Sequence, residues 1–281
     1  MIGLLAALLG GPAFAAPCDD LADGMPVGPI TASYRDGALG APRRTCGRSE
    51  IGVAVDARLT ADLANFYGYI PGALAIDGSA SVGRGVELFG RLEAFRVDLG
   101  IASLTSMQMG LGHLRLGAAW SAPVSERFSA GVYGSAVLPT ATGLYRNVAP
   151  MGFDFGFTST WDAGHRLYLH DSATFFTSFG IGKGPDLPRG GADFNVGLEW
   201  RAHRVFGLVV GLDLGFGDLD VFDHLSPGFG LRFSDGKRFG FELGAKLPVV
   251  GARRELLTFD LRMSARLGKP PQPAAPVVAN E

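Results

Sequence analysis

Residues 151–162 read MGFDFGFTSTWD, and this stretch decides the fold. Met151, Phe153, Phe155, Phe157 and Trp161 alternate with Gly152, Asp154, Gly156, Thr158, Thr160 and Asp162. A period of two marks a β-strand, because successive side chains leave a strand on opposite faces. One face here takes bulky apolar groups and the other takes glycine, hydroxyls and acids. The same alternation returns in 206–216, 239–247 and 257–267. Between Ser49 and Leu267 no stretch longer than about ten residues keeps helical spacing, so the chain reads as all-β.

Composition narrows the class. Of 281 residues, 42 are Gly and 20 are Phe, while 19% are charged and the net charge is -2. Glycine stands at about twice its average share. The aromatic and branched apolar content excludes a disordered chain, and glycine without a period of three excludes collagen. With no Lys/Arg run, no nucleic-acid partner is expected. Two Cys are too few for a disulfide-dense scaffold or a four-thiolate zinc site.

About twelve strands can be placed, centred near residues 55, 78, 92, 116, 133, 156, 173, 197, 210, 229, 243 and 261. Most run ~9 to 12 residues, enough for a tilted strand to cross the hydrocarbon of a bilayer. Five connections are short: 83–85, 123–127, 163–165, 202–204 and 234–237. The intervening ones read as longer and contain GLYRNVAP, GIGKGPDLPRGG and GDLDVFDH. Short turns on one side and long loops on the other, with an even strand number, predict a transmembrane antiparallel up-and-down β-barrel in a bacterial outer membrane. Beside the short turns stand Trp120, Phe128, Trp161, Trp200, Phe206, Phe233 and Phe239, all with outward parity. Aromatic side chains settle where hydrocarbon meets headgroups, so this row reads as the periplasmic girdle. A soluble sandwich has no reason to gather its indoles on one rim.

The ends read differently. Residues 1–16 have an apolar stretch and an Ala13-Phe14-Ala15 site, the layout of a signal peptide. Residues 17–48 form a polar N-terminal segment in which Cys18 and Cys46 are expected to bond in an oxidising periplasm, two free thiols being the alternative. The barrel is assigned to 49–267. Residues 268–281, rich in Pro and Ala, read as a flexible tail, a candidate site for a periplasmic partner.

Two motifs carry a family resemblance. Gly112–Trp120 (GHLRLGAAW), followed by a short turn and a strand closing on AVLPTATG at 136–143, resembles the outer-membrane transporter barrels linked to the MetA pathway of phenol degradation. That family similarly pairs a G-D-l-x-l strand with one ending P-T-G. His113 stands here where Asp is usual, and Ala141 with Thr142 stretches the P-T-G. FELGAKLPV at 241–249 is a second echo. The resemblance implies uptake of small solutes, hydrophobic or aromatic ones among them, and supplies no catalytic residues.

The inward parity predicts a lumen lined by Arg58, Glu87, Arg91, Glu93, His113, Arg115, Asp154, His170, Asp193, Glu199, Asp213, Arg232, Glu242, Lys246, Asp260 and Arg262. Charges withdrawn from water must be paired or stay wet, so the interior is either an ion-paired ladder or a hydrated pore. Arg201, Arg232, Arg238 and Arg266 fall at the periplasmic ends and Asp154, Asp193, Asp213, Asp218, Asp220 and Asp223 toward the outer mouth, which suggests an acidic entrance above a basic floor. Asp171 breaks the pattern by falling on the lipid face, and a β-bulge turning it inward is expected; His170 and Asp171 are thus the candidate local site. Asp218, Asp220, Asp223 and His224 lack the spacing and glycine of a calcium loop, so no metal and no cofactor is expected. The five His lie in no evident nucleophile signature and there is no G-x-S-x-G elbow. The expected function is a channel or transporter for small solutes, with membrane lipids and solute as partners. A plugged barrel with a structural or docking role is the alternative, and a lipid-modifying enzyme the remote one.

Overall fold

The computed structural model describes residues 50–62, 67–83, 85–100, 108–140, 142, 150–180, 190–203, 205–217, 221–234, 239–247, 249–250 and 255–266. The expected signal peptide, the segment 17–48 with Cys18 and Cys46, and the tail 268–281 lie outside them. In chain order the strands are β1 (Glu50–Asp62), β2 (Tyr67–Gly83), β3 (Val86–Gly100), β4 (Gln108–Gly110), β5 (Leu114–Ser125), β6 (Phe128–Leu138) and β7 (Pro150–Gly164). They continue with β8 (Leu167–Gly180), β9 (Gly190–His203), β10 (Phe206–Gly217), β11 (Val221–Ser234), β12 (Phe239–Lys246) and β13 (Glu255–Arg266).

Each stave pairs antiparallel with its sequence neighbours, and β1 pairs with β13 from Glu50↔Arg266 to Thr60↔Glu255. The sheet therefore closes into a barrel and leaves no edge, the condition for strands to cross a membrane. Twelve staves result, because β4 and β5 are two parts of one. β4 lies opposite Arg96–Asp98 and β5 opposite Val86–Leu92, both on β3.

The interruption at 111–113 has a local cause. Pro139 has no N–H, so the β5–β6 ladder stops at Leu114↔Leu138. Thr140 and Thr142 then take over its backbone partners. Thr140 Oγ1 accepts from Leu114 N–H at 2.9 Å and donates to the Gly112 carbonyl at 3.0 Å. Thr142 Oγ1 accepts from Leu111 N–H at 3.0 Å, and Thr142 N–H reaches the Leu111 carbonyl at 3.0 Å. The two sequence motifs that carry the family resemblance thus meet at one point of the wall.

The expected sidedness is observed. On β7, Phe155 and Phe157 are 58% and 56% exposed while Thr158 between strands β6 and β8 is 5% exposed. Trp161, Trp200, Phe233 and Phe239 are exposed beside the tight turns. A second outward aromatic band runs across five strands, Phe155–Phe175–Phe194–Phe216–Phe222, with successive ring centroids 5.2, 6.2, 6.3 and 5.9 Å apart. Apolar rings outside and polar groups inside invert the usual soluble arrangement.

Inward glycines serve a purpose that alternation alone does not reveal. Tyr133, Gly156 and Thr174 lie in one ladder row across β6, β7 and β8. The Tyr133 ring lies over Gly156, where any Cβ would collide with it, and its hydroxyl hydrogen-bonds that of Thr174. Phe89 lies likewise over Gly117 and Phe176 over Gly191. These glycines are seats for rings from the neighbouring strand.

Two expectations need correction. No bulge occurs at His170 or Asp171: β8 keeps regular register there with both β7 and β9. Asp171 stays on the outer face and takes a hydrogen bond from Ser159, its cross-strand partner. A polar neighbour across the ladder, rather than a backbone distortion, accommodates the carboxylate. In addition, the stretch GDLDVFDH is no long loop, because β11 already begins at Val221 and puts His224 inside the barrel.

Candidate functional site

The strands deliver most of the predicted lining residues to the interior. Glu87, Arg91, Glu93, Asp154, His170, Asp193, Glu199, Asp213, Arg232, Glu242, Lys246 and Arg262 are buried there, and His113 and Arg115 half-buried. The side chains of Arg58 and Asp260 lie outside the described residues, as do those of Asp223 and Arg266 and the whole of Asp218, Asp220 and Arg238.

Glu199 is the hub of the largest cluster. Arg232 Nη1 donates to its Oε2 at 2.7 Å, Arg201 Nε donates to its Oε1 at 3.1 Å, and His170 Nε2 lies 3.0 Å from Oε2. On its other side His170 Nδ1 meets Thr160 Oγ1 at 3.0 Å. Arg201 also stacks over the Tyr168 ring, 4.2 Å from its centroid. Glu199 and Arg232 are both 0% exposed. Charges this deep are tolerable because each finds an opposite charge at hydrogen-bond range.

Other acids are held separately. Lys246 Nζ donates to Asp213 Oδ2 at 2.6 Å, and His224 Nε2 lies 3.4 Å from the same oxygen. Arg115 pairs with Asp154, which also accepts from Ser135 at 3.1 Å. Arg262 Nε donates to Asp77 Oδ2 at 2.9 Å. That last pair spans the closure seam, since β13 and β2 are separated by β1. Gly52 on β1 lies beneath the Arg262 guanidinium, where a Cβ would press on it.

A transverse belt of alternating sign emerges. Glu242 stands directly across from Arg232 on β11 and from Arg262 on β13. Asp77 stands across from Arg91. From β9 through β13 to β3 the belt reads Glu199, Arg232, Glu242, Arg262, Asp77, Arg91. The expected basic floor is therefore corrected: Arg201 and Arg232 share that level with Glu199, which neutralises both.

His170 and Asp171 do not form one site. They point to opposite faces, the first buried and the second exposed. The partnership that does exist, Thr160–His170–Glu199, has the order of a hydroxyl, imidazole and carboxylate catalytic array. All three members are 1% exposed or less, and Glu199 is already shared by two guanidinium groups. Glu199 is thus committed to the ion-paired lining in addition to His170. Of the hydroxyl set buried on β6–β8, sequence reading placed Thr158 and Thr160 on the polar face but missed Ser129, Ser135, Ser172 and Thr174. Their signal was the same inward parity that exposed the charges.

No family model matches this chain, and no curated protein resembles it in sequence. Solved structures do resemble it in fold. An outer-membrane channel from Pseudomonas putida F1 superposes with a TM-score of 0.60 at 12% identity, over 84% of this chain and 100% of that one. The KdgM porin, solved in complex with disordered oligogalacturonate, gives 0.51 at 9% identity over 77% of this chain and 100% of that one. With the closed barrel, the outward apolar belt and the polar interior, these likenesses show that the chain has the fold of an outer-membrane β-barrel.

Proposed function

We propose that this barrel is a passive channel for small solutes across the outer membrane. The observation that carries the reading is the interior itself: a closed wall whose inner face bears charged and hydroxyl groups where a purely structural core would bear aliphatic ones. A water-miscible solute can exchange hydrogen bonds with such a surface as it passes. The inward rings Phe89, Tyr133, Tyr168 and Phe176 support the finer expectation that aromatic solutes are among the cargo, since they offer flat apolar contacts between the polar groups. The test is swelling of liposomes that contain the purified barrel. Entry of arabinose at a rate that rises with protein content is expected, with sodium benzoate entering faster than an aliphatic salt of similar size. Liposomes that hold their volume in every solute would overturn the channel.

One observation favours a plugged docking barrel instead, namely the complete burial of Glu199 and Arg232. Swelling separates the two readings, because a plugged barrel admits nothing.

A further inference from the structure

We infer that the lumen prefers cations and that Glu242 sets this preference; the inference rests on the channel reading above. Among the described residues, eight buried carboxylates share the interior with six Lys and Arg side chains, Arg115 included. A lumen lined by a surplus of one sign concentrates counter-ions of the other.

The surplus is unevenly neutralised. Glu199 takes hydrogen bonds from two guanidinium groups, Asp213 from Lys246, and Asp77 from Arg262. Asp154 is closely paired with Arg115. Glu242 differs from these. It is 2% exposed, yet neither of its oxygens accepts a hydrogen bond from the protein. Among the described residues its one ion pair is with Arg232 Nε at 3.4 Å, a contact without hydrogen-bond alignment. Arg232 is drawn away by the shorter bond from Nη1 to Glu199. A single guanidinium thus serves two carboxylates, and Glu242 receives the weaker share.

No side chain of its own strand supplies the missing bonds, and the open N–H groups of Arg232 and Arg262 across the ladder make no hydrogen bond to it. Along the β12 inner face, Gly240 and Gly244 flank Glu242 and offer no side-chain donor. A buried carboxylate with open oxygens is costly unless a cation or a donor from a passing solute meets it. The natural visitor is an alkali cation or a solute bearing an ammonium group. The belt position places this charge on the wall between Arg232 and Arg262.

The experiment is a planar bilayer with a KCl gradient. The wild-type barrel is expected to show a reversal potential of cation-selective sign, with K⁺ favoured over Cl⁻ by about threefold. Glu242→Gln should bring the ratio to about one, and Glu242→Asp should retain the preference. Asp171→Asn, which alters a charge on the lipid face, should leave the ratio unchanged. Heat-modifiable migration on gels confirms that each variant is a folded barrel. An anion-selective or unselective wild type, or a Glu242→Gln barrel as selective as the wild type, overturns the inference while leaving the channel standing. A folded wild-type barrel silent in both bilayers and swelling overturns the channel, and this inference with it.

Discussion

The inner face of the barrel has two unlike walls built by one device. On β6–β8 the Tyr133 side chain crosses the intervening strand over Gly156 to reach Thr174. Across β13, β1 and β2 the Arg262 side chain crosses over Gly52 to reach Asp77. Both walls use glycine to let a long side chain lie flat and bond two strands away. The stakes differ, because one wall joins neutral hydroxyls and the other joins full charges. Losing one partner strands a hydroxyl in the first case and an ion in the second.

The sharpest test of that difference is to remove one charged and one hydroxyl partner from the inner face. Glu199→Ala leaves Arg232 and Arg201 without their shared acid, and should cost about 3–5 kcal/mol. Thr160→Val removes the hydroxyl that faces His170 and should cost about 1 kcal/mol. Urea unfolding from lipid vesicles measures both. Equal losses would mean that the charged wall is hydrated and the comparison is empty.

The glycine device can be tested next. Gly156→Ala places a Cβ against the Tyr133 ring and the Ala173 carbonyl, for a cost of about 1–3 kcal/mol. Gly134, on the outer face, has only the Asp154 carbonyl oxygen near, at 3.7 Å. Gly134→Ala should fall within about 0.5 kcal/mol of the wild type. A Gly156→Ala barrel as stable as the Gly134→Ala one would show that the ring does not need its seat.

How much of this was legible in the sequence follows from what each feature requires. The strands, the inner and outer faces and the tryptophan rim depend on alternation within one segment, and Met151–Asp162 displays it without help. The pairings do not. His170 and Glu199 are 29 positions apart, and their meeting depends on β8–β9 register. The same limit explains the misreading of Asp171, whose difficulty on its own strand is answered by Ser159 on another. The break in the fourth stave was not legible because Pro139 acts on it from the next stave through Thr140 and Thr142. Charges could thus be assigned to the interior, but which acid each base would hold could not.

A smaller effect is expected on the outer face, where the Ser159–Asp171 pair is the polar exception among apolar neighbours. Replacing both residues, Ser159→Val with Asp171→Leu, exchanges a bonded polar pair for apolar surface one rung from Trp161. Removing both partners together leaves no orphan, so the change should be neutral or stabilising by about 1 kcal/mol. Asp171→Leu alone should do less well, since it leaves the Ser159 hydroxyl facing lipid. Loss of stability in the double variant would mean that the pair has a partner on the membrane side.

The smallest effect belongs to the turn between β7 and β8. His165 and Arg166 adopt φ of 53° and 64°, directly after Gly164 at 83°. Two non-glycine residues in the left-handed region carry strain that most hairpins avoid by placing Asn-Gly there. The turn persists because Gly164 N–H donates to Asp162 Oδ1 at 2.8 Å and Arg166 Nη1 reaches the Ala202 carbonyl at 3.3 Å. His165→Asn with Arg166→Gly relieves the strain but gives up the Arg166 bond, which is exposed and worth little. The net gain should be about 0.5 kcal/mol, read as a small shift in the urea midpoint. Because neither His165 nor Arg166 belongs to the belt, solute flux should not change; a change would tie the tight-turn rim to permeation and extend the functional surface beyond the belt.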